Sequence, residues 1–550
     1  MGKSAARFTL AIERSGKMPA LVKRTIFELN SIVVRFLVQS KHAPGGADLA
    51  QDIPKMKQEQ LGAESTSAHS HGLVRGLKLM DATTLVIGSM IGSGIFIVSA
   101  DVSRQLPSPA MLIGAWVLGA VLTMICALSY GELAAAMPHS GGQYIYLREA
   151  FGPALGFVYG WTLFLVIQTG TIAAVAVAFA KFFGVLVPWI SSSRFVVDLG
   201  SMTLPFASHP TPLTISTQQL VAILSIVFLT ALNCFGIRTG AWVQNIFTVA
   251  KTAALLGLAL LGVFLGRNAA AIHSNFGGFW KNADWHYSTL TLLAVAMVGP
   301  LFSSDAWNNV TFTGEEVENP QRNIPLSLVL GVGIVSLLYI STNFVYLSVL
   351  PLEGSAQATS ILGRGIQYAV EDRVATAAAQ MIFGSAGLWL MAAAIMISTF
   401  GCNNGMILTG ARVYYAMARH RLFFKSVARV HPRYHSPIMA LVIQGIWSCL
   451  LCLSGTYGQL LDYIMFAVLL SYILTLAGMF VIRHKRKDIE RPYLAWGFPW
   501  LPLIYIVAVG FIEVNLLIYK PEYTWPGLII ALTGLPVYYF WKRATRHEKA

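Results

Sequence analysis

Long apolar stretches alternate with short polar ones from residue 82 to residue 541. A helix needs about 20 apolar residues to cross a bilayer, whereas a tilted barrel strand needs only about 10. Since a backbone inside lipid must satisfy its own hydrogen bonds, runs of this length predict transmembrane helices and an all-α polytopic membrane protein. Twelve spans, numbered in chain order, are predicted at 82–103, 110–137, 153–183, 215–236, 241–266, 289–313, 326–350, 386–416, 437–454, 460–482, 499–519 and 525–541.

The composition agrees with this interpretation. Hydrophobic residues make up 55% of the 550 residues and charged residues 12%, against about 25% charged in a soluble domain. Disordered proteins, coiled coils and ordinary soluble enzymes are thereby excluded. The net charge of +14 lies in short clusters between spans, which is typical of membrane orientation rather than of nucleic-acid binding. The five cysteines all lie in apolar stretches and offer no disulfide framework.

Basic residues in the connections predict the orientation. The approach to span 1, the even-numbered loops and the C-terminal tail carry 19 Lys and Arg residues, whereas the odd-numbered loops carry 7. Because such residues remain on the cytoplasmic side, both termini are predicted in the cytoplasm and the protein in the cell membrane. The basic residues 483–487 after span 10 would then lie on anionic lipid.

The chain divides into three predicted segments. Residues 1–75 form a polar cytoplasmic tail, 76–545 the transmembrane domain, and 546–550 a short cytoplasmic tail. The first segment shows no signal-peptide pattern, and its residues 20–38 could form an amphipathic surface helix. Alternatively, translation begins at Met56, in which case residues 1–55 have no function.

Two spans contain residues that interrupt a helix. Residues 88–96 of span 1 include three glycines and two serines, and residues 299–308 of span 6 include Pro300, two serines and Asp305. Close helix packing through Gly88 and Gly92 is an alternative explanation for the first break. Matched breaks in two halves of a chain, however, indicate the binding site of a secondary transporter. Spans 1–5 and 6–10 are therefore predicted to be inverted repeats, with spans 11 and 12 appended.

Such breaks suit a zwitterion. The free N–H groups that open a half-helix favour a carboxylate, and the free C=O groups that close one favour an ammonium group. The breaks alone therefore predict a site for a small substrate that carries both charges.

Five stretches of the chain form a recognisable series: IGSMIGSGIFI (87–97), SYGELAAAMPHSGGQYIYLREAFGP (129–153), VQNIFTVAKTAALL (243–256), LFSSDAWNNVTFTGEEVENPQRNIPLSL (301–328) and GARVYYAMARHRLFF (410–424). In this order they resemble the amino acid–polyamine–organocation transporters and, among them, the L-type-like amino acid permeases. The resemblance implies a fold of two inverted five-helix repeats plus two helices, and substrates that are mostly amino acids.

The resemblance also implies a substrate site at the two breaks. Backbone N–H groups around Gly94 would meet the substrate carboxylate, the carbonyls of Ile91 and Phe302 would meet its ammonium, and the Phe302 ring would form a gate. The residues implied to bind substrate are Ile91, Ser93, Gly94, Ile95, Phe302, Ser303, Asp305 and Asn308. Spans 3, 8 and 10 would select the side chain, with Ser398, Thr399 and Cys402 as candidates.

The sequence departs from the family pattern at several points. Asp305 stands where related sequences often have glycine, so it either favours cationic substrates or has a structural role. His420 and Arg421 replace a more usual Asp-Gly after span 8, a change expected to affect orientation more than transport. Some family members are disulfide-linked to a glycoprotein through a cysteine between spans 3 and 4. Residues 184–214 contain no cysteine, so no such partner is predicted.

Lys251 lies near the centre of span 5. In the family, a lysine here stands where sodium-coupled relatives bind an ion. The resemblance therefore implies transport without sodium, by exchange or with proton coupling. Alternatively, Lys251 forms a fixed ion pair that holds span 5 against spans 1 and 8, and both roles can coexist.

The acidic residues of the spans have mainly structural interpretations. Glu132 is expected to pair with a basic loop residue. Glu315, Glu316 and Glu318 are expected to cap the end of span 6 or to pair with the basic loop 419–433, where they could form a cytoplasmic gate. Glu513 is expected to be structural or interfacial.

The predicted function is secondary active transport of amino acids by alternating access, with no cofactor or metal. The sequence has no P-loop, HExxH or GxSxG motif, which argues against an ATP-driven pump, a membrane protease or another enzyme. Two alternatives stay open: an amino acid sensor with a transporter-like fold, and a transporter of amines or polyamines.

Overall fold

The structure is a computed structural model that describes residues 73–202, 211–283, 286–453 and 457–547. The predicted surface helix at 20–38 and the alternative start at Met56 lie outside these residues.

The described chain is mostly helical, as the long apolar runs predict. Its α-helices are α1 Leu79–Met90, α2 Gly94–Gln105, α3 Pro109–Ala136, α4 Gln143–Phe151, α5 Pro153–Leu186, α6 Thr217–Cys234, α7 Ile237–Phe264, α8 Ala269–Phe276, α9 Tyr287–Ser303, α10 Asn309–Phe312, α11 Pro320–Val349, α12 Ile361–Arg364, α13 Val374–Phe383, α14 Ser385–Arg419, α15 Ile438–Leu451, α16 Tyr457–Lys485, α17 Trp500–Tyr519 and α18 Pro521–His547. Short 3₁₀ turns lie at Gly314–Glu316, Val370–Asp372 and Lys425–Ala428.

One β-hairpin accompanies the helices. Strands β1 Phe195–Met202 and β2 Thr211–Ser216 pair antiparallel between α5 and α6. The aromatic and β-branched residues at 195–197 favour a strand over a helix. Ser216 then ends the hairpin, because its hydroxyl accepts a hydrogen bond from the backbone N–H of Gln219 and caps α6.

Many helices are long and apolar enough to cross a membrane. Eight in the described part of the chain meet that requirement, and the bent pair α1–α2 would make a ninth. Each predicted span overlaps a helix, but α15 has only 14 residues and α18 contains two prolines. A multi-pass membrane protein is therefore confirmed, whereas the topology of twelve spans and its inverted repeat stay predictions.

The helices pack mainly in two groups. In the first, α11 lies against α3 and α1; in the second, α14 lies against α5 and α7, and α6 packs on α5 and α15. The second half of α9 packs on α2 and joins the first group, while α16 packs on α4 and on the second half of α5. The interrupted helix α1–α2 and the second half of α9 thus lie in the first group, whereas α10 packs on α14 of the second group as well as on α1 and α11.

Glu132 has the structural partner expected of it. Its carboxylate accepts hydrogen bonds from Arg483 at 2.7 and 2.5 Å and from the backbone N–H of Ala495 at 2.7 Å, and Arg491 lies 3.8 Å away. The Arg483 guanidinium also lies 3.7 Å from the centroid of the Phe498 ring. These contacts fasten the end of α3 to the end of α16 and to the loop after it.

The other acidic residues behave in three ways. Glu315 pairs with Arg419 at 3.1 Å, as predicted for the basic loop. Glu316 instead pairs with Arg412, which lies inside α14, at 2.8 Å. Both carboxylate oxygens of Glu513 are buried, with no hydrogen-bond partner among the described residues.

Candidate functional site

The predicted break in span 1 is present. Helix α1 ends at Met90, α2 begins at Gly94, and their axes differ by 41°. The first N–H groups of a helix have no partner within it. The start of α2 therefore presents the donors that the sequence assigned to a carboxylate, at Gly94 and Ile95.

The carbonyl groups at the end of α1 are bound by side chains. Lys251 donates from Nζ to the carbonyl oxygens of Gly88 at 2.5 Å and Ile91 at 2.8 Å. The Ser398 hydroxyl lies 3.0 Å from the oxygens of both Ile91 and Gly92. Lys251 thus holds α7 against α1, as the structural alternative predicted. Among the described residues, however, its acceptors are carbonyl groups rather than a carboxylate.

Two further side chains reach the same break. The Cys402 thiol donates to the carbonyl oxygen of Ser89 at 3.0 Å. The Tyr339 hydroxyl lies 3.1 Å from the carbonyl oxygens of both Met90 and Ser303, and so spans the two breaks. Thr399, in contrast, donates within its own helix to Ile395. Of the three candidates in span 8, Ser398 and Cys402 therefore reach the break and Thr399 does not.

The break in span 6 lies at residues 304–308. Helix α9 continues past Pro300 to Ser303, and α10 begins at Asn309. Ala306 has a φ of +65°, a left-handed conformation that is uncommon for residues other than glycine. The chain therefore turns sharply just after Asp305.

The two breaks touch each other. A Cβ atom on Gly94 would lie 2.2 Å from Ser303 Oγ and 2.9 Å from Ser303 Cα, so only glycine permits this approach. Phe302, the predicted gate, is buried beside this contact. The structure thus brings Gly94, Phe302 and Ser303 together.

A small cavity lies on the side of the span 6 break that faces α5 and α16. Its lining comprises Gln143, Tyr159, Leu163, Ile167, Gln168, Thr171, Asp305, Ala306, Asn308, Asn309, Phe312, Met406, Val468, Ser471 and Tyr472. Asp305 and Asn308 are thus in the lining, whereas Ile91, Ser93, Gly94, Ile95, Phe302 and Ser303 are not.

Both predicted residues of the cavity already have protein partners. The Tyr472 hydroxyl donates to Asp305 Oδ1 at 2.5 Å. Asn308 Nδ2 donates to Gln143 Oε1 at 3.1 Å. In this conformation, therefore, residues 305–308 are tied to α16 directly and to α4 through Gln143.

The sequence did not point to several cavity residues. Residues Leu163–Ile167 of α5 form a π-helical turn, and the Thr169 hydroxyl donates to the carbonyl of Phe164 at 2.6 Å. Such turns are rare, and those that occur are often at functional sites. No residue pattern in the sequence predicts this one. Gln143 was within the motif SGGQY, whose Gly-Gly pair could have marked it. The only sequence signal for Tyr472 is that its hydroxyl is a polar group in an apolar span.

Comparison with known proteins identifies the family. Residues 77–538 match the sequence model of the family described as "Amino acid permease". The chain belongs to the amino acid permease family. This permease is therefore a multi-pass membrane transporter rather than an enzyme, and its function class is amino acid transport.

The permease is similar over most of its length to characterised relatives. It is 28% identical to the serine/threonine exchanger SteT of Bacillus subtilis, covering 86% of this chain and 98% of that protein. It is 27% identical to the b(0,+)-type amino acid transporter 1 of Mus musculus, covering 89% and 92%. It is also 27% identical to the large neutral amino acids transporter small subunit 2 of Oryctolagus cuniculus, covering 91% and 84%.

His420, where the permease departs from the family pattern, packs at the end of α14. Its Nδ1 lies 3.1 Å from the Tyr144 hydroxyl and its Nε2 lies 2.8 Å from an Arg148 nitrogen. Burial, with the charges of Arg148 and Arg419, lowers the pKa of His420 to about 4. Because Arg148 can only donate, the imidazole must be neutral to accept this bond.

We expect acid to weaken this contact. The pKa of His420 is lower in the folded state than the ordinary value of about 6.5. Between these two values the unfolded chain therefore binds more protons than the folded one. The contribution of neutral His420 to the free energy of unfolding is complete above pH 6.5 and is lost as the pH falls toward 4. In detergent, the unfolding temperature of the wild type should fall as the pH is lowered from 6.5 to 4, and that of His420→Asn should fall less. Parallel slopes would contradict the assignment.

Proposed function

We propose that this permease is a secondary active transporter that moves amino acids across the cell membrane by alternating access. It works without sodium, as an exchanger or a proton-coupled symporter. Residues 76–545 form the transporting domain, and the segments 1–75 and 546–550 are cytoplasmic tails. No disulfide-linked partner is part of the proposal, because residues 184–214 contain no cysteine.

One observation carries the proposal: the two helix breaks meet beside a polar cavity. Gly94 lies against Ser303, and residues 305–308 continue from this contact into the cavity wall. Broken helices at matched positions supply both N–H donors and C=O acceptors, which are complementary to a zwitterion. The site residues Ile91, Ser93, Gly94, Ile95, Phe302, Ser303, Asp305 and Asn308 remain the proposed substrate contacts.

The sodium-independent part of the proposal rests on Lys251. Lys251 is 1% exposed, and its ammonium group already binds the carbonyl oxygens of Gly88 and Ile91. Backbone carbonyls exposed by a broken helix are the groups that would otherwise coordinate a cation. A fixed positive charge at this point supports transport without sodium.

The two helix groups support alternating access. The first group, which contains α1–α2 and the second half of α9, would rock against the group formed by α5, α6, α7, α14 and α15. The interrupted helices would carry the substrate contacts with them. The side of the membrane to which the cavity opens would then change with the angle between the groups.

Counterflow in proteoliposomes tests the proposal. Vesicles loaded with unlabelled amino acids should take up a few labelled ones, at equal rates with sodium or choline outside. Uptake driven by a pH gradient would indicate a proton-coupled symporter. Uptake that occurs only by counterflow would indicate an exchanger. No uptake of any amino acid by folded protein would contradict the proposal and favour amines or a sensor.

Asp305 supports a preference for cationic amino acids. Its carboxylate lines the cavity, and Tyr472 is its hydrogen-bonding neighbour. Removing one partner of a buried charge pair costs about 2–5 kcal/mol, much of it because the other charge is left buried and unpaired. The proposed substrates therefore include side chains that end in an amine or a guanidinium.

Replacing Asp305 with asparagine should consequently change selectivity. We expect affinity for cationic amino acids to fall at least about tenfold, since 1.4 kcal/mol is a tenfold change, with affinity for neutral ones nearly unchanged. Competition of unlabelled amino acids against counterflow measures both. Tyr472→Phe is the matched control, because it keeps the carboxylate and removes its partner. An equal loss for cationic and neutral substrates in Asp305→Asn would assign Asp305 a structural role.

A further inference from the structure

Gln143 joins two parts of the molecule at the edge of the cavity. Its side chain is buried, and its Nε2 donates to Thr475 Oγ1 at 2.9 Å and to the carbonyl oxygen of Ser471 at 3.1 Å. Its Oε1 accepts from Asn308 Nδ2 at 3.1 Å. A single amide therefore links the chain after the span 6 break to α16.

The backbone before Gln143 is shaped for this contact. Gly141 and Gly142 have φ values of +102° and +41°. A Cβ on Gly142 would lie 2.3 Å from Thr311 Oγ1, so a larger residue would push α10 away. The Gly141 N–H also donates to the carbonyl oxygen of Phe312 at 3.0 Å. The turn thus lies directly on α10 and delivers Gln143 to the cavity wall.

A second link joins the same two parts. The Tyr472 hydroxyl binds Asp305 three residues before Asn308, and Gln143, Asp305, Asn308 and Tyr472 all line the cavity. Residues 305–308 are therefore tied to α16 at two points. Any movement of the broken helix away from α16 must separate both links.

We propose that Gln143 is a gating residue whose amide closes one end of the cavity. Its hydrogen bonds to Asn308 and Thr475 hold residues 305–312 on α16 in this conformation, and they break when the cavity opens at this end. The inference rests on the proposed alternating access. Neutral hydrogen bonds suit the role, because they can be exchanged for bonds to substrate or water during each cycle.

Gln168 provides a matched control in the same cavity. It is also a buried glutamine, and its Nε2 donates to the carbonyl oxygen of Met406 at 2.9 Å. That bond joins α5 to α14, which belong to one helix group. Loss of the Gln168 amide removes a similar hydrogen bond without freeing the broken helix.

The test measures cavity opening directly. Asn309 lines the cavity, and its Nδ2 has no partner among the described residues, so Asn309→Cys is a suitable reporter for a water-soluble maleimide. In this background, Gln143→Leu should raise the labelling rate at least fivefold, whereas Gln168→Leu should leave it within twofold. Thr475→Val, which removes one acceptor and leaves α4 intact, should give a smaller increase.

Counterflow adds a kinetic readout. Gln143→Leu should change the maximal exchange rate at least fivefold with KM changed less than twofold, and Gln143→Glu, which keeps the acceptor for Asn308, should recover part of it. The proposal would be overturned if Gln143→Leu were labelled at the same rate as Asn309→Cys alone. It would also be overturned if Gln143→Leu and Gln168→Leu raised the labelling rate equally. If the wild type transports no amino acid, the proposed function fails, while labelling still reports on the gate.

Discussion

Arg412→Met is expected to lower the free energy of unfolding by about 3–5 kcal/mol, because it leaves the partner of a buried ion pair without its counter-charge. Arg412 and Glu316 are both 0% exposed, and the guanidinium donates to the two carboxylate oxygens at 2.8 and 3.2 Å. Methionine fills a similar volume, so the expected loss arises from the isolated Glu316 carboxylate rather than from an empty space.

The position of this pair increases its importance. The Glu316 carbonyl oxygen accepts hydrogen bonds from the N–H groups of Gly76 and Leu77 at 2.9 and 3.0 Å. The turn Gly314–Glu316 is thus tied both to α14 and to the chain that enters α1. Loss of Arg412 is therefore expected to loosen the ends of both interrupted helices.

Thermal unfolding of the purified protein in detergent measures the effect. Arg419→Met is the matched control: its pair with Glu315 lies 3.1 Å apart, but Arg419 is 52% exposed, and exposed pairs contribute about 0–1 kcal/mol. The double variant Arg412→Met/Glu316→Gln should recover part of the loss, since no isolated charge remains. Equal effects of the two single arginine variants would show that burial does not decide the strength of the pair.

The helix breaks could be predicted because their causes are local. Glycine and proline weaken the interior of a helix, so residues 88–96 and 299–308 identify both interruptions. The end of α9 at Ser303 rather than near Pro300 depends instead on its tertiary contacts, among them the close approach of Gly94 to Ser303. Local composition therefore predicts that a helix breaks, while packing decides where.

For partners far apart in the sequence, only the type of residue could be predicted, not its position. Glu132 needed a basic partner, but Arg483 is 351 residues away, and nothing in either segment indicates the other. Tyr472 lines the cavity because of the face that α16 turns inward, which hydropathy cannot define in a helix that is apolar all round. Gln143 opens the more polar helix α4, and its contact with α16 depends on tertiary packing. The sequence therefore predicts the backbone breaks and two side chains of the cavity wall, Asp305 and Asn308, but not the rest of that wall.

Lys251→Met is expected to reduce transport at least tenfold. The ammonium group is the donor for the carbonyl oxygens of Gly88 and Ile91, and an unpaired buried carbonyl costs about 1–3 kcal/mol. Methionine keeps the length of the side chain and offers no donor, so the end of α1 should lose its position beside α2. Counterflow rates at several pH values, with sodium or choline, measure the change.

Ser398→Ala separates the loss of one hydrogen bond from the loss of the charge. Its hydroxyl reaches the same Ile91 carbonyl, which keeps Lys251 as a donor. We therefore expect a loss of about fivefold, in line with a net contribution of about 1 kcal/mol for one neutral hydrogen bond.

Sodium then distinguishes the two roles of Lys251. If the ammonium replaces an ion, Lys251→Met leaves carbonyl oxygens that a sodium ion can coordinate, and sodium should restore part of the transport. If the ammonium only ties α7 to α1, the loss should be the same in sodium and in choline. Normal transport by Lys251→Met, with unchanged pH dependence and no response to sodium, would contradict both roles. The structure favours a combined role, because the atom that joins α7 to α1 also supplies positive charge at the carbonyl groups of the break.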